Sequence, residues 1–193
     1  MNDLLRPAPS RRAIPWRMVG WGGAVLLLSL PFFAMQFTNS GVDWSLGDFI
    51  FAGTFFGIIG GLFEFAVRTS SSGTYRLAFA AGLLGFFAVI WVNLAVGIVG
   101  SEDNPRNLLF FAALLVGIGG AIGARLRTVG MARAMLATAA SLIIAFVLAE
   151  LGPRDEPVVR PIVEAVGTSL FVMIFLGSAW LFRRAAAQSS SSS

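Results

Sequence analysis

The chain contains no cysteine and no histidine, and every one of its 14 basic residues is arginine. Without cysteine there is no disulfide framework and no thiolate site. Without histidine there is no imidazole ligand, so His- or Cys-held haem, iron–sulfur clusters and the usual zinc sites are excluded within this chain. Without lysine, Schiff-base and lysine-nucleophile chemistry are excluded as well. Charge of either sign is scarce, at 12% of residues, where a soluble domain carries about twice that fraction. No catalytic, metal or nucleotide signature stands out, and no cofactor is implied.

What is present is apolar length. The hydrophobic runs read Met18–Phe37, Asp48–Val67, Leu77–Val99, Leu108–Ala124, Ala134–Leu151 and Ile162–Phe182. Each is long enough to cross the hydrocarbon core, which takes roughly 17–25 helical residues. In lipid a helix satisfies its own backbone, and the runs are too continuous for alternating barrel strands. The expected fold is all-α: a polytopic, up-and-down bundle of six transmembrane helices over 18–184. A basic cytoplasmic segment, 1–17, precedes it, and a disordered Ser-rich cytoplasmic tail, 185–193, follows. The first run exceeds a signal-peptide core and lacks a small-x-small cleavage site, so it reads as a retained span.

Arginine placement orients the bundle. Arg6, Arg11, Arg12, Arg17, Arg68, Arg76, Arg125, Arg127, Arg133, Arg183 and Arg184 fall on one side. Arg106, Arg154 and Arg160 fall on the other. This bias places both termini in the cytoplasm. Trp16, Trp21, Trp44 and Trp180 lie near the expected interfaces, where aromatic anchors belong. The net charge of +4 does not indicate nucleic acid, because the arginines flank spans and form no basic stripe. They suit anionic lipid headgroups, so membrane lipids are the expected partners.

The gaps carry helix-start chemistry. Ser45-Leu46-Gly47-Asp48 has capping-box spacing with Asp in place of Glu. Asn104-Pro105 and Glu156-Pro157 read as an N-cap followed by proline. The outer gaps share a Gly-x-x-Asp-x-Pro pattern, Gly100–Pro105 against Gly152–Pro157, which either a hairpin repeat or turn chemistry produces. Small residues recur at helical spacing. Gly53, Gly57 and Gly61 form one stripe, Gly119 and Gly123 a second, and Ala113, Gly117 and Ala121 a third. Such stripes let helix backbones approach in lipid, within the bundle or between copies.

The polar candidates are few. Glu64 sits inside the second run with Arg68 at i+4, the favourable order for an ion pair, and proton or cation handling is its alternative. Asn93 lies roughly 9 Å inside the third run and suits an interhelical hydrogen bond or a polar cavity. Asp48 opens the second run. Glu102, Asp103 and Asn104 cluster on one loop, either as a capping turn or as partial ligation for a hard cation.

The stretch Trp91-Val92-Asn93-Leu94-Ala95-Val96-Gly97-Ile98-Val99-Gly100-Ser101-Glu102-Asp103-Asn104-Pro105 resembles a family of small multi-spanning bacterial inner-membrane proteins. Asp48-Phe49, the Gly53 stretch and Gly130-Met131-Ala132-Arg133-Ala134 fit the same resemblance. It implies a bacterial origin and an inner-membrane location, and it supplies no mechanism or functional residues.

Two function classes lead, ahead of a membrane-embedded enzyme that would use the Glu102–Asp103 carboxylates for acid–base work. The preferred one is a non-catalytic membrane component: a scaffold, an accessory subunit or a homo-oligomeric packing module. The alternative is a small oligomeric transporter or permeation unit for an ion or small solute, using Asp48, Glu64 and Asn93. The orientation is directly testable. Reporter fusions at Ser72 and Gly130 are expected to read cytoplasmic and a fusion at Asn104 periplasmic, and a periplasmic Gly130 contradicts the arginine argument.

Overall fold

The computed structural model describes residues 16–37, 43–151 and 161–190. The described residues form six α-helices: α1 (Trp16–Phe37), α2 (Leu46–Thr69), α3 (Gly73–Ala95), α4 (Leu108–Gly123), α5 (Thr128–Glu150) and α6 (Pro161–Ser190). A 3-10 turn, Pro105–Asn107, leads into α4. The fold is all-helical, and five helices, α2 to α6, are long and apolar enough to cross a membrane. The second outer gap, with Glu156-Pro157, lies outside the described residues.

The chain divides into two compact units, Met1–Glu64 and Phe65–Ser193, where the sequence suggests one continuous bundle. Among the described residues of the first unit few side chains are buried, and Ala52 is the one most enclosed. Its α2 starts at the capping box expected from the sequence. The Ser45 amide and hydroxyl each donate to Asp48 Oδ2 at 2.8 Å, and the Asp48 amide donates back to Ser45 Oγ at 3.3 Å. Asp48 is exposed in this role.

The second unit is a four-helix bundle of α3 to α6 around one apolar core. Helix α6 packs against both α3 and α5, and α4 packs against α5. The α3–α6 pair is antiparallel, with the Tyr75 and Phe182 rings 5.3 Å apart and Ser178 Oγ donating to the Ala78 carbonyl at 2.7 Å. Close approach is set by glycine. A Cβ at Gly85 would stand 2.9 Å from Phe175 Cζ, and one at Gly82 would stand 3.2 Å from both Met135 Sδ and Ser178 Oγ. The α4–α5 seam repeats the device: a Cβ at Gly117 would collide with Thr138 Oγ1, and one at Gly120 would stand 2.9 Å from the Ala134 Cβ.

The helix ends are closed by specific bonds. Arg76 Nη2 and Nε donate to the carbonyls of Val67 (3.0 Å) and Ser70 (2.8 Å), finishing α2. The α4–α5 turn places Arg125 and Leu126 at φ 48 and 57. Each left-handed residue costs about 1 kcal/mol. Tyr75 Oη holds the turn by donating to the Leu126 carbonyl at 2.9 Å.

One sequence expectation requires correction. The tail is helical through Ser190, with Ala185 buried. Alanine is the best helix former, and Ser189 and Ser190 bond back to the Ala186 and Ala187 carbonyls. The Gly53/Gly57/Gly61 and Gly119/Gly123 stripes named from sequence meet no close neighbour among the described residues. At Gly57, Gly61, Gly119 and Gly123 a Cβ meets nothing within 4 Å among the described residues, and at Gly53 only Leu28 Cδ1 at 4.0 Å. On α4 the core face is Phe110, Ala113, Leu114 and Gly117, so Gly119 and Gly123 fall on the opposite side. On α2 the crowded glycine is Gly60, where Trp21 Cη2 lies 2.8 Å from a built Cβ.

Adjacent glycines should therefore respond differently. In monomeric, detergent-solubilised protein, Gly117→Leu and Gly120→Leu are expected to lower stability by about 1–3 kcal/mol or more through overpacking. Gly119→Leu and Gly123→Leu should stay within about 0.5 kcal/mol of wild type. Thermal denaturation followed by circular dichroism distinguishes them, and equal losses at all four positions would refute the assignment of faces.

Candidate functional site

Polar side chains collect at one end of the four-helix unit, where α3 hands over to α4. Helix α3 stops at Ala95, and the chain unwinds through Gly97 (φ 74) and Gly100 (φ 69). Glycine is required at Gly97, because a Cβ there would strike the Ser101 carbonyl and stand 2.8 Å from Asn107 Nδ2. This unwound segment turns inward: Ile98 and Val99 are buried. Their backbone amides therefore need partners away from water.

Asn107 supplies them. Its Oδ1 accepts from the Ile98 and Val99 amides at 3.1 and 3.0 Å, and its Nδ2 donates to the Ser101 carbonyl at 2.7 Å. The residue sits at the end of the 3-10 turn and is 4% exposed. Asn93, 3% exposed on α3, donates from Nδ2 to the Asn107 carbonyl at 3.2 Å. Glu164, in the first turn of α6 and 8% exposed, accepts the Gly100 amide on Oε1 at 3.0 Å. One loop is thus tied to α3, to the start of α4 and to α6. Arg106 adds a tie to α5 through Nη1 and the Ala149 carbonyl, at 3.3 Å.

The cluster is incompletely satisfied. Asn93 Oδ1, Glu164 Oε2 and Thr168 Oγ1 are buried with no hydrogen-bond partner among the described residues. Thr168 lies one helical turn after Glu164, so both occupy one face of α6. An unpaired buried polar atom costs roughly 1–3 kcal/mol, and a charged one more. The arrangement can therefore accept a donor or a cation. It contains no nucleophile–base pair.

The sequence candidates separate. Asn93 enters the cluster, bonding to loop backbone in place of a neighbouring helix. Asn104 caps the 3-10 turn, its Oδ1 accepting from the Arg106 amide at 3.0 Å, while Glu102 and Asp103 are exposed on the turn before it. The loop thus adopts the capping arrangement. Among the described residues no group of three His, Cys, Asp or Glu side chains is placed to hold a metal. Asp48 and Glu64 belong to the first unit. Glu64 is half-buried in α2, one turn before Arg68.

Asn107, Glu164 and Thr168 were not apparent from sequence. Glu164 does interrupt the sixth apolar run three residues in, with a hydroxyl one turn later. An acid in a first turn reads as an ordinary dipole partner, which conceals its burial. No family model, curated protein or solved structure matches the chain.

The Asn107 staple has a measurable consequence. Asn107→Ala orphans two buried amides and is expected to cost about 2 kcal/mol or more. Hydrogen exchange at Ile98 and Val99 should accelerate in the variant. Unchanged exchange would show that other groups hold the loop.

Proposed function

We propose that the chain is a non-catalytic integral protein of the bacterial inner membrane, a scaffold or accessory subunit that packs against further copies of itself. In this reading α1 is a sixth span beside the five long apolar helices, and both termini are cytoplasmic. The arginine distribution supports the orientation, and the resemblance of the Trp91–Pro105 stretch supports the location.

The observation that carries the packing role is the set of glycines left uncovered. On α4, Ala112, Leu115, Val116, Gly119, Ile122 and Gly123 are all exposed, and nothing stands within 4 Å of a Cβ at Gly119 or Gly123. In lipid there is little hydrophobic gain in covering such a face. Small residues in register do gain close van der Waals contact with another helix. Gly57 and Gly61 offer the same surface on α2.

A second reading, a small transporter, draws on the unpartnered oxygens of Asn93, Glu164 and Thr168. The buried hydroxyls further along the bundle do not extend that polar path. Thr138 Oγ1 donates to the Ala134 carbonyl at 2.9 Å, and Ser178 Oγ donates to the Ala78 carbonyl. This favours the packing role.

The absence of native cysteine makes the test direct. Gly119→Cys and Gly57→Cys, made singly, are expected to give disulfide-linked dimers on mild oxidation in native membranes. Leu84→Cys, at an exposed apolar position on α3, should stay monomeric. If neither glycine position cross-links above the Leu84 control, the self-association reading fails.

A further inference from the structure

We propose that Asn93, Glu164 and Thr168 form a binding site for one dehydrated sodium ion, at the loop end of α3 and α6. The first support is placement. The antiparallel register sets Tyr75 beside Phe182, hydrogen-bonds Ala78 to Ser178 and seats Phe175 on Gly85. Continued along both helices, it carries Asn93 to the level of Glu164 and Thr168. The same three residues have the side-chain oxygens that are buried without a hydrogen-bond partner.

The second support is that the other polar contacts fix these oxygens. Asn93 Nδ2 faces a carbonyl acceptor at Asn107, which assigns its amide orientation and leaves Oδ1 as the free atom. Glu164 Oε1 is held by the Gly100 amide, leaving Oε2. Thr168 Oγ1 is not taken up by its own helix. Thr69 and Thr138 donate to the carbonyls four residues back, at Phe65 and Ala134. Thr168 makes no such bond.

The third support is chemistry. Asn93 Oδ1 and an ionised Glu164 Oε2 accept only, and Thr168 carries a single hydroxyl proton. With a carboxylate at Glu164, hydrogen bonds within the trio cannot satisfy all three atoms. A cation ligated by oxygen satisfies them together and balances the buried carboxylate, which otherwise is costly in a low-dielectric setting. One carboxylate matches a single positive charge. Calcium takes about 6–8 oxygens, commonly with several carboxylates. Among the described residues no guanidinium is bonded to Glu164, and Arg106 of the same loop directs Nη1 to Ala149. The unwound segment at Gly97 and Gly100 brings backbone carbonyls to the same end, the kind of group that completes an alkali-ion shell in membrane bundles. A bound ion would join α3, the loop and α6 at one point.

The test uses the full chain purified in mild detergent. Equilibrium binding of radiolabelled sodium to wild type is expected to saturate near one ion per chain. Sodium chloride should raise the melting temperature above that in choline chloride at equal ionic strength. Thr168→Ala should weaken sodium binding by about tenfold or more, and Thr168→Ser should restore it. Glu164→Gln should abolish it while helical content remains. Wild-type binding decides the matter even if Glu164→Gln fails to fold. No saturable sodium binding, equal stabilisation by choline, or displacement of sodium by equimolar calcium would each overturn the proposal. So would full sodium affinity in Thr168→Ala: the first outcome means that water or a proton fills the site, and the last that the ion sits elsewhere.

Discussion

The close approach of α3 to α6 at Gly82 and Gly85 governs most of what the second unit does. In lipid, helices gain little from hiding apolar surface, because the surrounding chains are equally apolar. Association depends on van der Waals contact, and contact depends on how near two backbones can come. The missing side chains at Gly82 and Gly85 admit Ser178 and Phe175. That admission allows Ser178 to reach the Ala78 carbonyl and sets the register for the whole pair. Continued far along the same helices, that register carries Asn93 to the level of Glu164 and Thr168.

At the loop end the chain unwinds before it reaches water. Ile98 and Val99 are turned inward, so their amides lose solvent and must be met by protein. Asn107 meets both with one oxygen, which leaves Asn93 and Glu164 free to hold the loop from two helices. The opposite end is closed differently. There Arg76 and Tyr75 donate to carbonyls of α2 and of the α4–α5 turn. One end is thus closed by side-chain donors on backbone carbonyls. The other retains three buried oxygens without a hydrogen-bond partner among the described residues, and that asymmetry makes it the candidate site.

The small-residue stripes illustrate how far periodicity reaches. Spacing on α4 marks both Gly119/Gly123 and Ala113/Gly117/Ala121, two stripes on different faces. Either would serve a close contact in lipid, and periodicity carries no information about which one a neighbour occupies. The neighbour is α5, placed by Thr138 and Ala134, and it selects Gly117 and Gly120. The same holds on α2, where Trp21 selects Gly60 over Gly57 and Gly61.

Local physics was legible in the chain by itself. Apolar run length implied helices able to cross a membrane, because hydrocarbon thickness fixes the count of residues. The Ser45–Asp48 box and the Asn104-Pro105 cap were readable because their bonds span three residues or fewer. The buried site was only partly readable. Asn93 stood out as an amide inside an apolar run, whereas Glu164 resembled an ordinary first-turn acid and Asn107 an ordinary loop residue. Their burial arises from contacts between residues as far apart as Gly100 and Glu164. Only the tertiary structure decides such contacts, since they depend on which helix faces meet and in what register.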